Sequence, residues 1–250
     1  MAKRTERLFG LHAVKQVLQN SPDTILNVWL QQSLDSESIR TIHDTVNDLG
    51  ISIQSVSRST LDKMTKNQNH QGVMLEIRKV TRKTENDLDD ILERHKSNNP
   101  LYLILDSVQD PHNLGACIRT AEAAGVAAVI IPKDRAATIN ETVRKVASGA
   151  VESVTVISVV NLVRAIKKIK ESGVWVVGTA GDAKESIYDL DLTAPTAVVM
   201  GGEGKGMRAS IRKECDYLAS LPIAGQSESL NVSVAAGIVL YEAIRQRITA

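Results

Sequence analysis

A polar segment ahead of one predicted helix carries the first residues that could do chemistry. Asp110–Gly115 (DPHNLG) leads into a helical stretch in which Arg119 and Glu122 lie three residues apart. Side chains at that spacing share one helix face. Asn113 is of a residue type that commonly caps helices. On the residues alone, the simplest interpretation is a cap at Asn113 and a surface ion pair between Arg119 and Glu122, and a functional role for these side chains stays open.

Two further segments combine glycines or serines with single acid or amide side chains. Residues 201–207 (GGEGKGM) resemble a phosphate-binding loop, but Gly206 stands where such a loop needs Ser or Thr for magnesium, which disfavours nucleotide hydrolysis. What remains is a glycine-dense turn in which the backbone can approach a ligand closely, with Glu203 in its middle. Residues 226–233 (QSESLNVS) precede a largely apolar final helix, and alone they are typical of a serine-rich helix cap.

A predicted parallel sheet positions these segments. After Pro100 the apolar runs LYLILD, AAVII, VTVIS, VWVVGT, TAVVMG and YLASLPI alternate with helical stretches, which indicates an α/β fold. The first run is followed by SVQDPHNLG rather than by GxGxxG, which disfavours a dinucleotide site. The covering helices are predicted at Leu114–Ala124, Val160–Glu171 and Val232–Arg247. Because ligands bind beyond the carboxyl ends of parallel strands, function is expected in the loops after Asp106, Met200 and Ile223.

The first 80 residues predict a second, smaller α/β domain. Its elements are predicted as helices at Leu11–Asn20 and Ser36–Leu49 and strands at Ile25–Leu30, Ile51–Val56 and Gly72–Val80. Residues 81–99 are polar and charged, and they predict a linker that contains a short helix. The expected organisation is therefore a small domain over 1–80, a linker over 81–99 and the main domain over 100–250.

Composition narrows the classes of function. The net charge is +1, but residues 1–83 hold 12 Lys and Arg against 8 Asp and Glu, so any nucleic-acid contact is favoured there. Aromatic residues are only 3% of the chain, so phosphate and shape contacts are expected to outweigh base stacking. Cys117 and Cys215 are predicted to be reduced, the histidines show no metal-binding spacing, and no apolar stretch is long enough for a membrane span. We expect a cytoplasmic protein without metal.

Taken together, three segments resemble the motifs of the SpoU/TrmH family of RNA ribose methyltransferases in order and spacing. They are DPHNLGACIRTAEAAG at 110–125, VMGGEGKGM at 199–207 and LPIAGQSESLNVSVAAGIVLYEA at 221–243. The N-terminal FGLHAVKQVL and NHQGV at 69–73 resemble that family's accessory substrate-binding domain, which is similar to ribosomal L30e-type folds. The resemblance extends over essentially the whole chain.

The resemblance implies a SPOUT-type parallel sheet with a deep trefoil knot, preceded by a small L30e-like α/β domain. It also implies a homodimer in which each site borrows residues from the partner. The implied reaction is S-adenosylmethionine-dependent 2′-O-methylation of a guanosine ribose in 23S ribosomal RNA. A transfer-RNA ribose methylase, a resistance methylase of ribosomal RNA, and a non-catalytic RNA-binding or ribosome-assembly factor stay open as alternatives.

The resemblance also implies roles for individual residues. Arg119 is expected to bind the 3′-phosphate beside the reacting ribose and favour the alkoxide, because a free arginine is effectively never deprotonated. Asn113 and Asn231 are expected to orient Arg119 and the RNA, and Glu203 is expected to anchor Arg119 or a backbone amide. The residues expected to hold the cofactor are Thr179, Gly181, Gly201, Leu221, Ile223, Ser229 and Leu230.

Overall fold

The computed structural model describes residues 5–20, 22–34, 36–78, 83–204 and 206–249. Two compact units are present, one formed by Met1–Thr81 with Ser148–Ser153 and the other by Arg82–Ala147 with Val154–Ala250. Within the described residues, no helix combines the length and the apolar character that crossing a membrane requires.

The first unit is a four-stranded sheet with helices. Its elements are β1 (Thr5–Phe9), α1 (Leu11–Asn20), β2 (Ile25–Gln31), α2 (Glu37–Asp48), β3 (Ile53–Val56), α3 (Arg58–Met64) and β4 (Val73–Arg78). The strand order is β1-β4-β2-β3, in which β4 is antiparallel to β1 and β2 while β2 and β3 are parallel. The predicted helices and strands are confirmed, with the last two residues of the predicted Gly72–Val80 strand outside the described residues. Sequence reasoning missed β1 and α3.

Helix α2 illustrates why this unit folds as it does. Ser36 caps it, because the serine hydroxyl accepts a hydrogen bond from the Ile39 amide at 3.3 Å. Ile39, Ile42 and Val46 lie on one face and are buried in the core of the first unit. Burying each such side chain contributes about 1.5–3 kcal/mol.

The second unit begins with β5 (Lys83–Thr84), inside the segment predicted as a linker. The elements that follow β5 along the chain are α4 (Leu88–His95), β6 (Leu101–Asp106), α5 (Pro111–Ala123), β7 (Ala128–Pro132), α6 (Glu141–Ala147), α7 (Ala150–Ser153, in the first unit), β8 (Val156–Val159), α8 (Leu162–Glu171), β9 (Trp175–Thr179), β10 (Glu185–Ser186), β11 (Thr196–Gly201), α9 (Ala209–Arg212), β12 (Tyr217–Ser220) and α10 (Val232–Thr249). The short helix predicted between 81 and 99 is α4.

Eight strands of this unit form one parallel sheet. The order is β10-β12-β9-β11-β6-β7-β8-β5, and every neighbouring pair is parallel. All six residues of β6 are buried, as expected for a strand covered on both faces. The chain reverses its direction of travel across the sheet at β6 and β11, so the loops that follow them meet at a switch point, where α/β sheets bind ligands.

Helices on the sheet show amphipathic spacing. On α8, Leu162, Ala165, Ile166 and Ile169 are buried against the sheet in one core cluster. Asn161 caps this helix by accepting from the Arg164 amide at 3.1 Å, so the helix begins two residues later than the sequence predicted.

The carboxyl end of α10 is fastened to two distant segments. The guanidinium of Arg247 donates to the carbonyl oxygens of Leu192 (3.0 Å), Asn99 (2.9 Å) and Ala194 (2.7 Å). One turn earlier, the buried carboxylate of Glu242 accepts from Arg245 at 2.8 Å. The final helix is therefore attached to the sheet by specific polar contacts as well as by packing.

Candidate functional site

The loop after β6 enters α5 through a capped first turn. Asp110 is the cap, since its carboxylate accepts from the His112 amide at 2.9 Å, and Pro111 is the first helical residue. That hydrogen bond holds the pKa of Asp110 below its usual value. The prediction that Asn113 caps a helix starting at Leu114 is therefore wrong. Because Asn113 lies inside the first turn, its side chain is available for another role.

The glycine turn after β11 packs tightly on its surroundings. Gly206 donates from its amide to the Gly202 carbonyl at 3.1 Å, so the turn folds back on itself. A Cβ on Gly201 would lie 2.2 Å from Met207 N, and one on Gly202 would lie 2.3 Å from the Ser107 carbonyl oxygen. Any larger residue at these two positions would meet backbone atoms, which explains the glycines physically.

The Asn113 amide joins all three loops. Its nitrogen donates to Glu203 Oε1 at 2.6 Å, and its oxygen accepts from Asn231 Nδ2 at 2.9 Å. Glu203 Oε2 also accepts from the backbone amide of Gln109 at 3.3 Å. Asn231 in turn accepts from the Ser233 amide at the start of α10. Asn113 thus holds two loops that lie 90 and 118 residues further along the chain in one hydrogen-bonded arrangement, which we call the Asn113 bridge.

A cavity of about 500 Å³ opens beside the glycine turn. It lies at the carboxyl ends of β9, β11 and β12, and its volume is in the range of small-molecule sites. Its lining includes Glu203 and Asn231. It also includes all seven residues that were expected to hold a cofactor, namely Thr179, Gly181, Gly201, Leu221, Ile223, Ser229 and Leu230. The structure brings these seven together, and their assignment to a cofactor stays a prediction.

Two ion pairs at this site were missed by sequence reasoning. Asp106, fully buried at the end of β6, accepts from Arg208 through the backbone amide (2.8 Å) and Nε (2.7 Å), which ties the far end of the glycine turn to β6. Asp182 and Arg212, both in the cavity lining, form the second pair at 2.8 Å. This hydrogen bond from Arg212 lowers the pKa of Asp182. The partners are 102 and 30 residues apart, so no local spacing signals either pair.

Arg119 stands apart from the other predicted catalytic residues. It is exposed on α5, and it is not one of the described residues that line the cavity. Among the described residues, no ion pair or hydrogen bond joins it to Glu122, so the predicted surface pair does not form. Its neighbour Thr120 packs near Gly237 of α10. The structure therefore brings Asn113, Glu203 and Asn231 together and leaves Arg119 on an exposed surface next to α10.

The cysteines do not offer a nucleophile. Both are free. Burial, assisted by the charge of Glu203, raises the pKa of Cys117 to about 12, and burial likewise raises the pKa of Cys215 to about 12. Within the part of the chain that the structure describes, no group of three His, Cys, Asp or Glu side chains is placed to hold a metal ion.

Two protein-family profiles match the chain. The family described as "SpoU rRNA Methylase family" matches residues 100–241, and the one described as "RNA 2'-O ribose methyltransferase substrate binding" matches residues 7–83. The chain is 49% identical to the 23S rRNA (guanosine-2'-O-)-methyltransferase RlmB of Vibrio parahaemolyticus over 98% of either chain. It is 47% identical to the protein of that name from Haemophilus influenzae, over 98% of this chain and 99% of the other.

Solved structures give the same picture of the fold. An AdoMet-bound rRNA methyltransferase from Sinorhizobium meliloti has a TM-score of 0.79 at 26% identity, covering 97% of this chain and 87% of its own. The SpoU methyltransferase AviRb from Streptomyces viridochromogenes, in complex with AdoMet, has a TM-score of 0.81 at 24% identity, covering 99% of this chain and 92% of its own. The predicted α/β class with a parallel sheet is confirmed.

Proposed function

The chain belongs to the SpoU rRNA methylase family, and we propose on that basis that it transfers a methyl group from S-adenosylmethionine to the 2′-hydroxyl of a guanosine ribose in 23S ribosomal RNA. The observation that carries the proposal is the Asn113 bridge, because it assembles the family's three motif loops around one cavity. The curated relatives named for this reaction match nearly the full chain.

The cavity suits the cofactor. Its volume of about 500 Å³ fits a nucleoside with an amino-acid tail, and its walls combine apolar side chains such as Leu221 and Leu230 with glycine backbone. We assign cofactor binding to Thr179, Gly181, Gly201, Leu221, Ile223, Ser229 and Leu230. When bound, S-adenosylmethionine supplies a methyl group on a sulfonium. The leaving group is the neutral thioether that remains after methyl transfer, so it needs no acid.

The chain's own residues have to prepare the nucleophile. A ribose hydroxyl attacks poorly until its proton is removed, and it must be held in line with the bond that breaks. Arg119 binds the neighbouring 3′-phosphate and favours the alkoxide, while the proton passes to phosphate or water. Asn113 and Asn231 orient the RNA, and Glu203 holds the Asn113 amide in place. No step in this scheme calls on a metal ion.

The position of Arg119 supports a homodimer. Because Arg119 lies outside its own chain's cavity, we propose that it acts at the cavity of a partner subunit. A surface for that partner is present on α10, where Val234 (52% exposed), Tyr241 (52%) and Ile248 (78%) recur at seven-residue spacing. Exposed apolar stripes of this kind mark interaction surfaces. Mixing Arg119→Ala protein with Asn231→Ala protein is expected to restore activity, because each mixed dimer contains one complete site.

We propose that residues 1–80 form an L30e-like domain that selects the RNA and that 100–250 carry out the transfer. The segment 81–99, expected to be a linker, contributes β5 and α4 to the second unit and is therefore assigned to the part of the chain that carries out the transfer. The substrate-binding profile over residues 7–83 and the mixed sheet of the first unit support the first assignment. We also propose that the loop from β12 to α10 is threaded in a trefoil knot, as in the family. A ribosomal RNA substrate places the reaction in the cytoplasm.

Transfer of tritiated methyl groups into ribosomal and transfer RNA tests the proposal. Wild-type protein is expected to label 23S RNA, and Asn113→Ala and Arg119→Ala are expected to lose at least about 10²-fold in kcat/KM. Glu122→Gln, on the same helix as Arg119, is the matched control and is expected to retain activity. Arg119→Lys tests the planar guanidinium, since a lysine lacks the bidentate fork and full activity at every pH would contradict the assigned role. Absence of both labelling and cofactor binding would favour the RNA-binding alternative.

A further inference from the structure

The cavity is unevenly charged. Among the described residues that line it, the charged ones are Asp182, Glu203, Arg212 and Glu228. The Glu203 carboxylate already accepts hydrogen bonds from Asn113 and Gln109. Arg212 is the single cation of that described lining, so it is the side chain there that can neutralise a negative group on a ligand.

The guanidinium of Arg212 is only partly used by the protein. Its Nη1 donates to both carboxylate oxygens of Asp182, at 2.8 and 2.9 Å. Its Nε and Nη2 have no acceptor among the residues that the structure describes, and 38% of the side chain is exposed. These two nitrogens form the parallel pair of donors that suits a carboxylate. The Asp182 carboxylate, 70% exposed, keeps acceptor capacity on both oxygens.

We propose that Arg212 and Asp182 form the subsite for the amino-acid end of the cofactor, a step that rests on the proposed function. Arg212 receives the α-carboxylate on its Nε and Nη2 edge, and Asp182 receives the α-ammonium. The pair has opposite charges side by side, as the zwitterionic end of the ligand does. The two residues come from the loop after β9 and from α9, whereas the Asn113 bridge joins the loops after β6 and β11 to the loop before α10.

A purely structural role predicts different behaviour. An ion pair as exposed as this one contributes little to stability, typically about 0–1 kcal/mol, and it would only fasten the loop after β9 to α9. Losing such a fastening would weaken every ligand of the cavity alike. Losing a carboxylate receptor weakens only the ligands that carry the carboxylate.

Calorimetric titration of the full chain with two ligands separates these roles. S-adenosylhomocysteine carries the amino-acid end, and 5′-methylthioadenosine shares the adenosine and the thioether but lacks that end. Arg212→Met is expected to weaken S-adenosylhomocysteine about tenfold while changing 5′-methylthioadenosine less than about twofold. Arg212→Lys is expected to fall between wild type and Arg212→Met. Lys213→Met is the matched control, because it removes one positive charge from the next residue, which is not among the described residues that line the cavity. It is expected to leave the affinities for both ligands unchanged.

The outcomes distinguish this inference from the proposed function. Equal weakening of both ligands by Arg212→Met, or no weakening of either, would overturn the subsite while leaving the cofactor assignment intact. Failure of the wild-type protein to bind S-adenosylhomocysteine at all would overturn the cofactor assignment itself. Asp182→Asn provides a second test, in which the affinity for S-adenosylhomocysteine is expected to fall while the affinity for 5′-methylthioadenosine stays unchanged.

Discussion

Replacing Gly201 with alanine is expected to disrupt the glycine turn and the cavity it lines. A Cβ at this position would lie 2.2 Å from Gly206 C and from Met207 N, whereas ordinary van der Waals contact begins at 3.4 Å. The two sides of the turn would have to separate by roughly 1 Å to relieve the overlap. Both contacted atoms belong to the backbone, so no change of side-chain rotamer can relieve it.

The size of the effect follows from this overlap. Inserting one methyl group into a filled space typically costs about 1–3 kcal/mol of unfolding free energy. For a unit of this size, that corresponds to a fall in Tm of roughly 2–12 °C. Because the displaced turn lines the cavity, we also expect affinity for S-adenosylhomocysteine to fall at least about tenfold.

Scanning calorimetry and ligand titration measure both effects on the same sample. Gly225→Ala is the matched control, because its Cβ would meet no heavy atom within 4 Å and its backbone conformation suits alanine. That variant is expected to melt within about 1 °C of wild type. If Gly201→Ala melts and binds as the wild type does, the close packing of the glycine turn against Met207 is wrong.

Three further expectations concern polar contacts. Arg208→Gln removes guanidinium donors from the buried Asp106 carboxylate, so the free energy of unfolding measured by urea titration should fall by about 2 kcal/mol. An unchanged urea midpoint would contradict a stabilising role for this ion pair. The hydrogen bond from Arg245 lowers the pKa of Glu242 from 4.5 to about 2. The ionised carboxylate therefore stabilises the fold above pH 4.5, and this contribution is lost as the pH falls to about 2. The difference in unfolding free energy between wild type and Glu242→Gln should close over that interval. Arg247→Ala should speed hydrogen exchange at the backbone amides of 190–194, and unchanged exchange would argue against its fastening role.

Much of the catalytic fold could be predicted because buried parallel strands leave long apolar runs in the sequence. The runs at β6 and β11 stand out for this reason, and the polar loops that follow them are where such sheets bind ligands. The seven predicted cavity residues came from the family resemblance, and the structure places them around one space. Strand order had no comparable signal, because pairing of β6 with β11 depends on contacts between residues about 95 positions apart.

Short or polar elements escaped prediction for physical reasons. Strand β5 has two residues in a charged segment, and it forms only because β8 offers an open edge. At the start of α5, Asp110 and Asn113 are both suitable caps. Pro111 was the signal that decides between them, because proline favours the first helical position and thereby marks the preceding residue as the cap.

The place of β11 in the sheet has a consequence for biosynthesis. This strand lies between β9 and β6, both of which leave the ribosome earlier. Until Thr196–Gly201 has emerged, β9 has no neighbour in the sheet to pair with, and β6 exposes a row of unpaired backbone groups. The nascent chain thus carries an open, apolar edge on β6 while the roughly 95 residues from the end of β6 to the end of β11 are added, and we expect its folding to be slow and to depend on holding chaperones over that interval.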